Sequence, residues 1–163
     1  MTTRRKIIVW GCGSALVLLA LIAIAVGLLL NHVMKDAQGV SVHVAVPTEV
    51  YVDDTFDLEV TVVNDRKKNL KVDDIDLDDE YLAGFLVVST EPKHKSTAHV
   101  PIDNSQSFTF NRELRPGQTN RFVFKLRAIK AGVFRGDVDV AEGLQFVTEL
   151  AQTIVKEKQE KEK

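Results

Sequence analysis

The sequence predicts an all-β fold, a single antiparallel β-sandwich of about seven or eight strands, set behind one transmembrane α-helix. Three observations carry this: an unbroken apolar run near the N-terminus, period-2 alternation over most of the remaining chain, and turn residues at the joints between alternating segments. With 163 residues, the chain accommodates one ordinary domain plus an appendage.

The apolar run comes first. MTTRRK is followed by IIVWGCGSALVLLALIAIAVGLLL at residues 7–30, with no charge inside. As a helix, roughly 24 residues rise about 36 Å, enough to cross a hydrocarbon core of about 30 Å. A cleaved secretory signal is the alternative. Its apolar region would be shorter, roughly 7 to 15 residues, and the small-x-small candidate from Ala23 to Ala25 lies inside the run. Arg4, Arg5 and Lys6 before the span set its orientation, because Lys and Arg stay on the cytoplasmic side. The expected protein is therefore single-pass, with a cytoplasmic N-terminus and a periplasmic or extracellular C-terminal domain.

The alternating segments follow. In TFDLEVTVVN, Phe56, Leu58, Val60 and Val62 share one face while Asp57, Glu59 and Thr61 share the other. Phe122, Phe124 and Leu126 alternate with Arg121, Lys125 and Arg127, and Phe134, Val138 and Val140 with Arg135, Asp137 and Asp139. Val42, Val44 and Val46, and then Phe108 and Phe110, repeat the pattern. Pro47, Asp53-Asp54, Asn64 to Asn69, Pro92, Pro101, Pro116-Gly117, Gly132 and Gly143 punctuate it. A small barrel is the structural alternative. The expected organisation is a basic N-terminus (1–6), an anchor (7–30), a connector (31–39), the sandwich (40–155) and a charged tail, KEKQEKEK (156–163).

The run VYVDDTFDLEVTVVN, with the later LRPGQTNRFVFKLRAIKAGVFRGDVDV, resembles the bacterial immunoglobulin-like and cell-adhesion-related sandwich modules. Asn64 stands at the turn after the early strand pair, Pro116 and Gly117 at the late turn, and Gly132 at the joint of the last strands. The resemblance implies an immunoglobulin-like sandwich and carries no catalytic residue. Those modules often occur in tandem within large surface proteins, whereas this chain has one copy directly behind its anchor.

Charge and cysteine content narrow the function. Twenty-one basic and 23 acidic side chains, spread along the chain to a net charge of −2, leave no basic footprint for nucleic acid. One cysteine, Cys12, excludes an internal disulfide and a multi-cysteine zinc site, and it is read as a small residue of the span. His43 alternates with valines on an outward strand face, while His94 and His99 fall in EPKHKSTAHVP, read as an exposed loop. No nucleophile–base, zinc-protease or phosphate-loop pattern accompanies them, so the chain is read as non-enzymatic, without a cofactor.

The acidic stretch KVDDIDLDDEYL at residues 71–82 is the remaining candidate site. Asp74, Asp76, Asp78, Asp79 and Glu80 are its possible calcium ligands. As an EF-hand it fails: Asp79 replaces the required glycine, and Phe85 stands where a bidentate glutamate belongs. As a strand, it points Ile75 and Leu77 to the core and Asp74, Asp76 and Asp78 outward, about 7 Å apart, too far to share one ion. The reading is a solvated acidic face able to steer a basic partner, with calcium possible only where the chain turns at Asp78 to Glu80.

The functional expectation is a membrane-anchored, non-catalytic extracytoplasmic binding or assembly module. Its partners would be the lipid bilayer and another protein. The alternatives are a structural subunit of a membrane complex, or a calcium-dependent module or enzyme built on the acidic segment.

Overall fold

The computed structural model describes residues 18–28 and 39–158. The chain divides into two compact units, Met1–Asp36 and Ala37–Lys163. In the first, residues 18–28 form helix α1, and Leu18, Leu21, Ile22 and Leu28 are all exposed on it. A helix apolar all round has no polar side to offer water. Among the described residues, no helix is long and apolar enough to cross a membrane. The rest of the expected span, the orienting Arg4, Arg5 and Lys6, Cys12 and residues 31–38 of the connector lie outside the described residues.

The second unit is all β apart from one helical turn. Its elements are β1 (Val40–Ala45), β2 (Glu49–Tyr51), β3 (Thr55–Asn64), β4 (Leu70–Asp78), α2 (Asp79–Leu82), β5 (Phe85–Glu91), β6 (Ser96–Val100), β7 (Ser105–Leu114), β8 (Thr119–Ala128), β9 (Gly132–Glu142) and β10 (Gln145–Lys156). One sheet has the order β1-β3-β8-β5 and the other β2-β10-β9-β4-β7-β6. All pairs are antiparallel except β2 with β10, where Glu49 to Tyr51 run alongside Ile154 to Lys156.

Ten strands replace the expected seven or eight. The additional ones are short: β2 has three residues, and β6, STAHV, is exposed over four of its five positions and so shows no buried alternation to read. His99 thus sits on a strand rather than in a loop. His94 is half-buried, bonded to Thr90 through Nδ1 at 2.8 Å and packed edge-on against Phe108. Strand β10 runs to Lys156, one residue into the expected tail, and Lys156 pairs with Glu49.

Alternation becomes a core where the two sheets face each other. Leu58, Val60 and Val62 of β3 are fully buried, as are Phe122, Phe124 and Leu126 of β8. Ile75 and Leu77 of β4 and Val138 of β9 meet them from the larger sheet. Phe110 lies edge-on to Phe122 with centroids 4.8 Å apart, and Phe108 edge-on to Phe124 at 5.1 Å. This is the arrangement ring quadrupoles favour. A second aromatic group, Phe56, Tyr81, Phe85 and Phe134, fills the other end around Phe85.

Two polar residues lock the connections. Asn64 is fully buried with its amide satisfied: Nδ2 donates to the Lys68 and Leu114 carbonyls, and Oδ1 accepts from Arg66 N. Its backbone carbonyl accepts from Gly117 N at 2.7 Å, and its N–H donates to Gln118 O at 2.9 Å. The asparagine turn and the Pro116-Gly117 turn, far apart in sequence, are thus one structure. Gly117 has φ of 73°, open to glycine at no steric cost. Tyr81 shares a hydrogen bond of 3.1 Å with Thr153 Oγ1, and Thr153 in turn donates to the Pro47 carbonyl. Burial pushes the Tyr81 hydroxyl up to about 12 against the opposing effect of the Thr153 bond, so it stays protonated. Gly136 makes room for this corner, since a Cβ there would stand 2.7 Å from Asp78 Cβ and 2.9 Å from Tyr81 Cβ.

Candidate functional site

The acidic segment lies at the centre of the larger sheet, flanked by β9 and β7, and not at an open margin. Its face parity is the one alternation predicts: Ile75 and Leu77 are fully buried, and the aspartates point away from the core. Their surroundings differ from the hydrated row expected. Asp74, Asp76 and Asp78 are each half-buried, because neighbouring strands on both sides crowd a central strand. A register shift between Val72 and Asp74 re-aims the strand where the acids begin.

Pairing brings acids from two segments together. Asp76 stands directly opposite Asp139 of β9, and Leu77 opposite Val138. Directly opposite side chains on one sheet face lie about 4.5–5.5 Å apart at Cβ, and like charges there repel. Burial raises the Asp76 carboxyl above its ordinary value, a hydrogen bond with Ser107 opposes this, and Asp74, Asp139 and Asp103 raise it further. Burial likewise raises Asp139, opposed by the bond from the Thr148 hydroxyl and reinforced by Asp137, Asp103 and Asp78. Asp76 Oδ1 is sealed from solvent without a hydrogen-bond partner in the described structure. Burial and like charge thus make ionisation of these carboxylates less favourable than in water.

Apolar side chains border this acidic centre. Thr148 pairs with Asp139, Leu150 with Asp137 and Phe146 with Ala141, so Phe146 and Leu150 share the outward face with the acids. They are 45% and 46% exposed. Val133, 66% exposed, continues the face along β9.

The five sequence candidates do not converge on one point. Asp74 and Asp76 belong to the outward face. Asp78 caps α2, its Oδ1 accepting from Glu80 N at 2.9 Å, and Asp79 faces His99 Nδ1 at 3.4 Å. Glu80 occupies the first turn of α2. Among the described residues, no group of three or more His, Cys, Asp or Glu is placed to hold a metal ion. Alternation places Asp139 outward on β9 but does not join it to the acidic segment, and Asp103, in the turn before β7, carries no such signal at all. Two acidic strands meet only when the topology makes them neighbours.

An open cleft of about 1000 Å³ lies elsewhere, lined by polar residues including Arg112, Glu113, Asn120, Arg121 and Lys125. Its Arg121 is tied to Glu59, and Thr90 on its wall is hydrogen-bonded to His94 Nδ1 at 2.8 Å.

No protein-family model matches the chain, and no curated protein matches its sequence. Solved structures do match. The native conformation of Escherichia coli α2-macroglobulin aligns with a TM-score of 0.50 and 16% identity over 74% of this chain and 7% of that one. The fold is an immunoglobulin-like β-sandwich. Salmonella α2-macroglobulin reacted with methylamine aligns at 0.46 and 13% identity over 72% of this chain and 7% of that one. A Vibrio harveyi GH20 exo-β-N-acetylglucosaminidase aligns at 0.41 and 14% identity, covering 73% and 18% respectively. The chain spans 7% of the length of the Escherichia coli macroglobulin, and the likeness concerns the fold alone.

Proposed function

We propose that this chain is a membrane-anchored, non-catalytic extracytoplasmic module that binds or assembles another protein through the outer face of its six-stranded sheet. The anchor rests on the charge-free apolar run of residues 7–30 behind Arg4, Arg5 and Lys6. What supports the binding face most directly is the pairing of Asp76 with Asp139, two half-buried carboxylates with raised pKa values bordered by exposed Phe146 and Leu150. A partner offering Lys or Arg among apolar side chains would relieve the repulsion and cover the apolar surface together.

A photo-crosslinking residue placed at Phe146 or Leu150 in intact cells tests this. Discrete protein adducts are expected there and not from Thr61 on the outward face of the smaller sheet. Equal adducts from both faces, or none from either, would defeat the reading. Membrane partners retained after the β-domain is deleted would instead make the chain a structural subunit of a membrane complex.

A further inference from the structure

Strand direction sorts the connections of the sandwich into two poles of opposite charge. At one pole Asp65 N donates to Gly39 O, Asn64 and the 117–118 turn exchange backbone bonds, and the Arg66 guanidinium reaches Glu142. Residues 65–69, 115–118 and 143–144 therefore cluster where the chain from the connector enters β1. These three connections carry Arg66, Lys67, Lys68 and Arg115 against Asp65, while at the same end Glu142 pairs with Arg66 and Asp73 accepts from Gly143 N. Lys67, Lys68 and Arg115 are exposed, and Leu144, in the β9–β10 turn at the same end, is 69% exposed.

The opposite pole is knit by Asp53 N to Ala128 O, Ile129 N to Gly84 O and Asp79 N to Asn104 O. Its connections carry Asp53, Asp54, Asp79, Glu80 and Asp103 against Lys130, and Lys158, just beyond β10, is ion-paired with Asp54. It has its own exposed apolar residue, Ile102, at 88%. Each pole thus presents exposed apolar surface, Leu144 at the basic one and Ile102 with Ile129 at the acidic one.

We propose that the basic pole docks on a membrane surface of anionic lipid headgroups, with Lys67, Lys68 and Arg115 drawn to the headgroups and Leu144 entering their apolar margin. The inference rests on the anchored reading above and adds an orientation to it. Nine residues, 31–39, extend no more than about 32 Å, so Gly39 and the basic loops beside it stay within reach of the bilayer whatever path the connector takes. Clustered basic side chains with an apolar tip match a leaflet that carries anionic headgroups on the domain's side of the membrane, whose field acts within a Debye length. The same field repels the acidic pole, so the two ends together select one orientation.

The test uses the full chain with Cys12→Ser and a fluorescent label at either Leu144→Cys or Ile102→Cys. The chain is reconstituted into phosphatidylcholine vesicles with or without phosphatidylglycerol, each carrying a lipid-borne quencher. The expected result is quenching at position 144 well above that at 102, present with phosphatidylglycerol and lost in 1 M salt, where the Debye length is about 3 Å. A Lys67→Glu, Lys68→Glu, Arg115→Glu variant should lose it as well, while melting like the parent. Equal quenching at 144 and 102 in a chain that resists alkaline washing overturns the docking alone. Release of the chain by alkaline washing overturns the anchored reading and the docking with it.

Discussion

The smaller sheet and the centre of the larger one treat outward charge in opposite ways, although the larger sheet does pair Lys156 with Glu49 and sets Lys71 opposite Glu113 nearer its ends. On the smaller sheet acids meet bases: Asp57 stands opposite Lys125, and Glu59 is ion-paired with Arg121. On the larger sheet Asp76 meets Asp139, and Asp103 adds a third negative neighbour to both. Both sheets cover the same core, so the sandwich does not need acid opposed to acid in order to fold. The smaller sheet's arrangement is the one that packing and solubility alone would favour. The larger sheet's arrangement is costly to the isolated fold, a cost that the proposed basic partner would relieve.

The largest expected effect lies beneath both faces and calibrates them. Phe124 is fully buried against Phe108 and Phe110, whereas Lys125 points outward. Phe124→Asp should destabilise by on the order of 4 kcal/mol or more, by leaving a cavity and an unpaired buried charge. Lys125→Asp should change little beyond its contact with Asp57. If thermal melts of the two variants coincide, the assignment of faces is wrong.

Next in size is the corner joining the acidic strand to the core. Gly136→Ala should cost roughly 1–3 kcal/mol, because the new methyl group meets Asp78 and Tyr81 at less than contact distance. Denaturant melts would measure it. An unchanged midpoint would mean that α2 is not fixed against β9 as described.

The comparison itself is sharpened by neutralising one acid on each sheet. Asp76→Asn or Asp139→Asn should raise stability at neutral pH by a few tenths to about 1 kcal/mol, whereas Glu59→Gln should lower it slightly or leave it unchanged. The pH dependence carries a sign. Both aspartates have folded-state values above the ordinary 3.8, so the folded state holds their protons more tightly than the unfolded chain does. Their contribution is full below 3.8 and declines as pH rises through the raised values. The gain of an asparagine variant over the parent should therefore grow across that window and then level off. A gain that shrinks with rising pH would contradict the burial assigned to these groups.

The smallest expected effect is that of calcium. Asp78 is engaged at the α2 cap and Asp79 with His99, so millimolar calcium should leave the melting temperature unchanged. Saturable one-to-one binding by calorimetry, lost in Asp74→Asn, Asp76→Asn, Asp78→Asn, would replace the protein-contact face with an ion site.

Alternation made the core legible: Leu58, Val60, Ile75, Leu77, Phe122 and Phe124 were all readable as inward, because a strand's period of two depends only on local sequence. What escaped depends on neighbours. Strand β6 buries almost nothing, and β2 is defined by its partner β10 more than by its own three residues. The direction of Asp76 was local information. Its half-burial and its meeting with Asp139 follow from strand order, which alternation does not specify.

Strand order also sets a schedule for biosynthesis. Strand β2 pairs only with β10, and β10 also completes one side of β9. Chains are made N-terminus first, at about 5–20 residues per second. Until residues 145–156 emerge, β9 carries an open edge and β2 has nothing to pair with, so the larger sheet cannot be completed before its last strand is made. A nascent or truncated domain lacking β10 would leave Val50 without its neighbouring strand and the backbone edge of β9 unpaired, a form that proteases and chaperones can distinguish from the finished one.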